Sequence, residues 1–560
     1  MDASAERFQM AENANELARS VSWKEGLFIA LGVPLLILPS LCDVSSIIWG
    51  MCVLVWTVSV LQGFVQNLAY GEMVTAFPKA TGLPGCAQAV FTKGNKNGID
   101  KGKLIGAFSA WCYWFAWCPV VAIFTMMIGD YLMQMFSLDI SGWGVVGLYM
   151  AVGIAIVSLM FFLGSRGLEG GAKVGMILAI ASIVPIVIIL VGALATGMFD
   201  FSVITDNFYR AEWSWSVQDI VLVLGCFGLA QWSACAWETA AIYGPEYKNP
   251  AKDVPKALFV CGIICLVMYF FVSTTVYGSL GQEGITAAGT ATLAPIAEFA
   301  FGEIGSYIAL FFLIVAMILI IQTGFLGSAR TLHSMAGERN LPKWFSKVNK
   351  NDMPTNAMMF VVFFNLALVF IIKFSGEILA AETTTMTLLT ASALGYCIAN
   401  GIALAAYVVT HTSDRFKNLE RPFKAPRGWH RVIAVMVCIQ FGVWLPCLMY
   451  WSYYLSGGVI AIVLGLVILA FFIPLWFFVQ SKNAADDLQE NCIPETTESN
   501  SRSKNRGLCP HFHQTFFKCN DFFSLYINNA YYSRISSWRI NMYLYTNKKI
   551  ELSILKVYIL

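Results

Sequence analysis

The feature that most constrains this chain is a series of twelve apolar runs, at about 24–42, 45–75, 104–136, 144–163, 172–197, 217–243, 255–280, 303–335, 356–373, 384–411, 431–454 and 458–480. A bilayer core about 30 Å thick is crossed by roughly 20 helical residues, and nothing in its interior satisfies an open backbone, so runs of this length fold as membrane-spanning helices. Several are longer, which calls for tilt or kinks. With 58% hydrophobic and 12% charged residues, no soluble fold of ordinary composition accommodates the 560 positions. The reading is an all-α membrane protein of 12 transmembrane helices, with the lipid bilayer as its first partner. A net charge of +2 leaves no electrostatic footprint for a nucleic-acid partner.

Where the basic residues fall sets the expected orientation. Both termini placed in the cytoplasm puts Arg7, Arg19 and Lys24 inside, then the Lys79–Lys103 segment, Arg166 and Lys173, and Lys248, Lys252 and Lys256. The same choice puts inside the Arg330–Lys350 and Arg415–Arg431 loops, leaving only Arg210 and Lys373 outside. Residues 1–22 are polar and acidic ahead of the first apolar run, unlike a signal peptide, and are read as a retained cytoplasmic segment. Residues 23–482 then form the helical domain, and 483–560, rich in Asn, Tyr, Ser and Lys, are expected to be a poorly ordered cytoplasmic tail. Within that tail Cys509, His511, His513 and Cys519 have a spacing that matches no standard zinc pattern, so no metal is expected. Cys52, Cys112, Cys226, Cys261 and Cys397 lie singly in apolar runs and predict packing, not disulfides.

Two runs carry helix breakers well inside the membrane. The first has Gly32, Pro34 and Pro39 in IALGVPLLILP; the sixth has Gly225 and Gly228 in LGCFGLAQWSACAWE. A kink or a close packing contact explains either run alone. Interrupted helices at the first position of two successive five-helix units point instead to an inverted repeat, with substrate held where the unwound segments meet. The free N–H groups of half-helix ends suit a carboxylate.

Four motifs carry a resemblance. AYGEMVTAFPKATGLPG ends the second run, WETAAIYGPEYKNPAKDVPKA follows the sixth, GSARTLHSMAGERNLPKWFSKVNKNDMPTNA follows the eighth, and RPFKAPRG precedes the eleventh. In this order they resemble the amino acid, polyamine and organocation (APC) superfamily, over about 450 residues that exclude only the N-terminal segment and the tail. The resemblance implies a secondary transporter with a LeuT-like five-plus-five inverted-repeat core, broken helices 1 and 6, and alternating access. A homodimer is compatible with it.

The interrupted segments put the expected substrate site at Ala30, Leu31, Gly32 and Val33 of the first run and at Gly225 and Gly228 of the sixth; laid against the bacterial amino acid antiporters of that superfamily, the sixth run adds Trp232 and Cys235. Trp117, Val121 and Phe124 of the third run complete the expected lining. Antiporters that bind a guanidinium have an amide where Val121 stands, so the substrate expected here is a neutral or aromatic amino acid. Alanine at 236 replaces the family's glycine and stiffens the segment slightly.

Glu238 lies too deep to snorkel, and an ionised carboxylate is costly there, so the acid can hold a proton and couple its loss to substrate exchange. A structural carboxylate capping the unwound helix is the alternative. Trp232 has the stiff ring and polar N–H of a gate over the substrate, or else packs as core. Glu72 is expected to pair with Lys79, and Asp130 to be solvated near the outer end of the third run. Proton-driven relatives keep a lysine midway along helix 5, where this chain has Ser182, which favours exchange, or facilitated flow with Glu238 as the titrating group. Sodium coupling stays open, since carbonyls near Gly32 with Thr323 and Ser328 could bind the ion.

An enzyme is not expected: every histidine lies in or next to a loop or in the tail, with no intramembrane His, Ser and Asp cluster. No cofactor is implied, and the chain lacks a G-x-x-x-x-G-K-[ST] nucleotide loop. A membrane nutrient sensor on the same fold is the competing function.

Overall fold

The computed structural model describes residues 19–94, 100–379, 385–455 and 459–491. It forms two compact units, Met1–Asn483 and Ala484–Leu560. Among the described residues 12 helices are long and apolar enough to cross a membrane: Trp23–Ile48, Met51–Ala76, Lys101–Met135, Trp143–Gly164, Gly170–Ala195, Val217–Glu246, Pro250–Ala288, Glu303–Gly337, Thr355–Ser375, Thr387–Thr412, Trp429–Tyr454 and Ile460–Asp487. These are spans 1 to 12 below. Among the described residues the one β pairing is an isolated bridge between Val21 and Tyr247.

Every expected span is present. Span 7 runs past the expected end at 280 because Gly281, at φ 61°, turns the chain in a conformation that needs glycine and a further helical stretch follows to Ala288. The last helix continues through Asn491, beyond the expected boundary at 482. Of the second unit only the residues that continue this helix are described; residues 1–18 and 492–560, with the Cys509–Cys519 cluster, lie outside the described residues. Three shorter helices, Gly82–Phe91, Phe201–Asp206 and Leu293–Phe301, fill loops that the apolar runs alone do not reveal.

Span 3 is the buried axis of the bundle, whereas spans 11 and 12 lie at its edge and expose Val435, Phe471 and Phe478. Span 10 lies along the first half of span 3, span 8 along the second half, and span 7 along span 2. Side chains cap some of the helix starts. Asp100 accepts the N–H groups of Gly102 and Lys103 at 2.9 and 3.1 Å and also those of Lys93 and Gly94, both at 2.8 Å. Burial alone would raise its pKa, but these four donors together hold it below the usual carboxylate value. Span 6 opens on a capping box in which Ser216 Oγ accepts from Asp219 N–H at 3.2 Å and the Asp219 carboxylate accepts from Ser216 N–H at 3.1 Å.

Candidate functional site: the broken spans

Span 1 is helical over Trp23–Ala30, leaves the helix at Leu31 and Gly32, makes a tight turn at Val33–Leu35 and resumes at Ile37. Pro34 lies in the turn, where its missing N–H is least needed. Side chains of other spans take the carbonyls that the break releases. Thr323 of span 8 donates to Ile29 O at 2.7 Å, and Tyr269 of span 7 donates to Val33 O at 3.4 Å. Gly32 is so close to span 8 that a Cβ there would lie 2.5 Å from Thr323 Oγ1 and 3.0 Å from Ile320 Cα.

Span 6 breaks as well, though not at the glycines. The helix runs unbroken over Val217–Ala234, through Gly225 and Gly228, and turns at Cys235 into a tighter helix over Ala236–Glu246. A Cβ on Gly225 would lie 2.6 Å from Trp451 Cβ, and one on Gly228 would lie 2.9 Å from Leu448 Cβ. Both glycines therefore allow close packing against span 11, away from the break itself. The break is held from span 2: Asn67 Nδ2 donates to Cys235 O at 3.3 Å and the Cys235 thiol donates to Ser59 O at 3.1 Å. Ala30, Leu31, Val33, Trp232 and Cys235 are all buried, and the turn at Val33–Leu35 lies against both halves of span 6.

A third break was not expected. Span 3 bends at Cys118 and Pro119, between helices Lys101–Trp117 and Val120–Met135. Trp117, the last residue before the bend, stacks on Trp232 with ring centroids 6.5 Å apart and 28° between planes. Trp232 Nε1 donates to Ala116 O at 3.1 Å, a carbonyl at the broken end of the helix. Val121 and Phe124 are fully buried past the bend.

Glu238 is fully buried in the tight segment of span 6. Its Oε1 accepts from the Tyr113 hydroxyl at 3.2 Å, while Oε2 has no hydrogen-bond partner. The Tyr396 hydroxyl of span 10 faces the same carboxyl. One turn further along span 10, Asn400 accepts from Tyr70 and donates to Gln66 Oε1 at 3.3 Å and Gln231 Oε1 at 3.1 Å. Sequence reading passed over Tyr113, Tyr396, Gln66, Gln231 and Asn400. The signal was there: amides inside apolar runs are rare enough to mark a polar interior.

Towards the end of the bundle that carries the basic loops, Glu246 closes span 6 against Arg330 of span 8, with Nε to Oε1 at 2.6 Å and Nη2 to Oε2 at 3.3 Å. Glu72 is held by Arg421 Nε at 3.0 Å, His411 Nε2 at 3.1 Å, the Tyr407 hydroxyl at 3.0 Å and Ala425 N–H at 2.9 Å. These partners come from span 10 and the loop after it, and they replace the expected pairing with the neighbour Lys79. Asp130 is half-buried and bonded by Tyr149, whose ring also carries the Lys373 ammonium at 3.8 Å, so it is not simply solvated. Of the residues suggested for sodium, Thr323 lies at the span 1 break and Ser328 is bonded to Phe325 O. Among the described residues no group of three His, Cys, Asp or Glu could hold a metal.

Comparison with known proteins agrees with this architecture. An arginine/ornithine antiporter of Lactococcus lactis subsp. cremoris is 23% identical over 52% of this chain and 60% of its own length. A serine/threonine exchanger of Bacillus subtilis is 24% identical over 52% of the chain and 61% of its own length, and a D-serine/D-alanine/glycine transporter of Escherichia coli is 22% identical over 69% and 79%. The chain thus spans about 60% of the length of the first two relatives. A family model described as "Amino acid permease" matches residues 26–494, the whole bundle with its breaks. The chain is a multi-pass membrane protein and belongs to this family of amino acid permeases of the APC superfamily.

Proposed function

We propose that this protein is a secondary active transporter that exchanges a neutral or aromatic amino acid, or a related amine, across the cell membrane by alternating access. The observation that carries the reading is the meeting of two broken helices, at Leu31–Gly32 and at Cys235, beside a fully buried carboxyl with one unpartnered oxygen. Both breaks lie at membrane depth, where backbone leaves the helical ladder only around a protein-enclosed cavity or ligand.

In this reading the N–H groups of Gly32 and Val33 receive the substrate carboxylate, since Pro34 has none and those of Leu35 and Leu36 donate to Gly32 O and Val33 O, and carbonyls near Ala30 and Cys235 receive its amine. Trp232, stacked on Trp117, closes one side of the path. Apolar Val121 and Phe124 favour a side chain without charge. Glu238 lies on the other side, bonded to Tyr113 on one oxygen only, so a proton can be taken up or released as the tyrosines move. In this reading both termini are cytoplasmic, which the basic loops support, and the two breaks begin the two five-helix repeats. The relatives' names, an antiporter and an exchanger, support exchange over net uptake.

The test is a side-by-side screen of amino acids in proteoliposomes of the purified protein, with and without unlabelled amino acid inside. Exchange predicts rapid uptake only when the interior is loaded. Uptake equal in both supports net transport, and saturable binding without any uptake supports the sensor reading and overturns this one.

A further inference from the structure

We propose that Asn365 of span 9 is a positioning residue that sets the bend of span 3 and, through it, the place of Trp232. The proposal rests on the transport reading for its kinetic consequences only.

A proline inside a helix removes one N–H donor and its ring pushes on the carbonyl four residues back, so the groups around it need other partners. Around Pro119 the ladder re-forms unevenly. Cys118 O takes the N–H of Val121 at 3.4 Å, one residue early, and Pro119 O takes that of Ile123 at 2.9 Å. The N–H between them, on Ala122, which a straight helix would point at Cys118 O, donates instead to Asn365 Oδ1 at 3.0 Å. Asn365 Nδ2 donates to Cys118 Sγ at 3.4 Å and to Val361 O of its own helix at 2.8 Å. One fully buried amide from span 9 is thus inserted into the opened ladder of span 3.

The other side of the bend is filled by span 8, where a Cβ on Gly324 would lie 2.8 Å from Val120 Cγ1 and 3.1 Å from Trp117 O. The bend has a consequence at the candidate site. Straightening the helix would turn Ala116 O back towards the N–H of Val120, the partner four residues on, and shift the acceptor that Trp232 Nε1 now uses at 3.1 Å. It would also carry Trp117 away from its stacking partner. None of Asn365's hydrogen bonds goes to a candidate substrate residue, so its influence runs through the backbone geometry of span 3.

The test combines Asn365→Leu, Asn365→Asp, Pro119→Ala and the double variant Pro119→Ala/Asn365→Leu, with KM, turnover and Tm measured for each. Asn365→Leu should raise KM for exchange about tenfold or more, whereas Asn365→Asp, which keeps the acceptor for Ala122, stays nearer the unmodified protein. In the Pro119→Ala background, where Ala122 can regain its helical acceptor, Asn365→Leu should add no more than about twofold. KM factors that simply multiply, or a lower Tm with unchanged KM, would overturn the proposal. Where the unmodified protein exchanges no amino acid, the transport reading falls by itself, and Trp232→Phe decides. It should lower Tm in the Asn365 protein and leave it unchanged with Asn365→Leu; equal losses in both overturn the positioning role.

Discussion

Replacing Arg330 with methionine strands the Glu246 carboxylate in the core of the bundle. Arg330 is 1% and Glu246 4% exposed, and the guanidinium also lies 5.0 Å from the Tyr243 ring centre and 3.6 Å from Met353 Sδ. Breaking a buried pair by removing one partner costs about 3–5 kcal/mol, because the remaining charge has lost its compensation. Methionine fills much of the space, so the loss is mostly electrostatic and not a cavity. Removing both charges, as in Glu246→Gln/Arg330→Met, should cost only about 1–2 kcal/mol, a coupling of about 2–3 kcal/mol between the sites. At about 2 cal/mol/K per residue, the entropy of unfolding of this bundle makes 1 kcal/mol worth about 1 °C in Tm. The single variant should therefore melt about 3–5 °C lower in detergent and the double about 1–2 °C lower. A double variant as unstable as the single would refute the reasoning.

Glu338 offers a pH-dependent test just past the end of span 8. Burial pushes its carboxyl up to about 8, although it accepts from Asn340 Nδ2 at 3.2 Å and part of it meets solvent. A raised folded-state value means that the folded protein holds the proton more tightly, so stability falls as pH rises from the unfolded carboxyl range to about 8 and is flat above. Glu338→Gln should remove about 1–3 kcal/mol of that decline, read as Tm between pH 5 and pH 9; an unchanged slope counts against it. Gly32→Val should press the span 1 break against Thr323 and Ile320, cutting exchange at least about tenfold with smaller loss of folded protein. Full activity there would mean that this contact opens freely.

How much of this could be read from sequence depends on what holds each feature. The spans were legible because runs such as 303–335 exceed the bilayer thickness and have no other fold open to them. The span 1 break was legible because Gly32 and Pro34 are local causes. The span 6 break was expected within LGCFGLAQWSACAWE and lies there, at Cys235; the glycines offered as its cause, Gly225 and Gly228, pack on span 11 instead, and Cys235 is held by Asn67 and Ser59 on span 2. Pro119 stood in WCPVV in plain view, yet its partner Asn365 is remote in sequence and no local pattern joins them. The same distance hid Tyr396 from Glu238, and made Lys79 look like the partner of Glu72 when Arg421 and His411 fill that place.

The most direct measurement for the account is amino acid exchange across a pH series, in proteoliposomes of the unmodified protein and of Glu238→Gln at matched protein content. The account predicts saturable exchange whose rate changes with pH in the unmodified protein, and a flat profile in the variant with its Tm retained. Identical pH profiles would contradict the role of Glu238, and no exchange of any amino acid by the folded protein would contradict the transport reading itself.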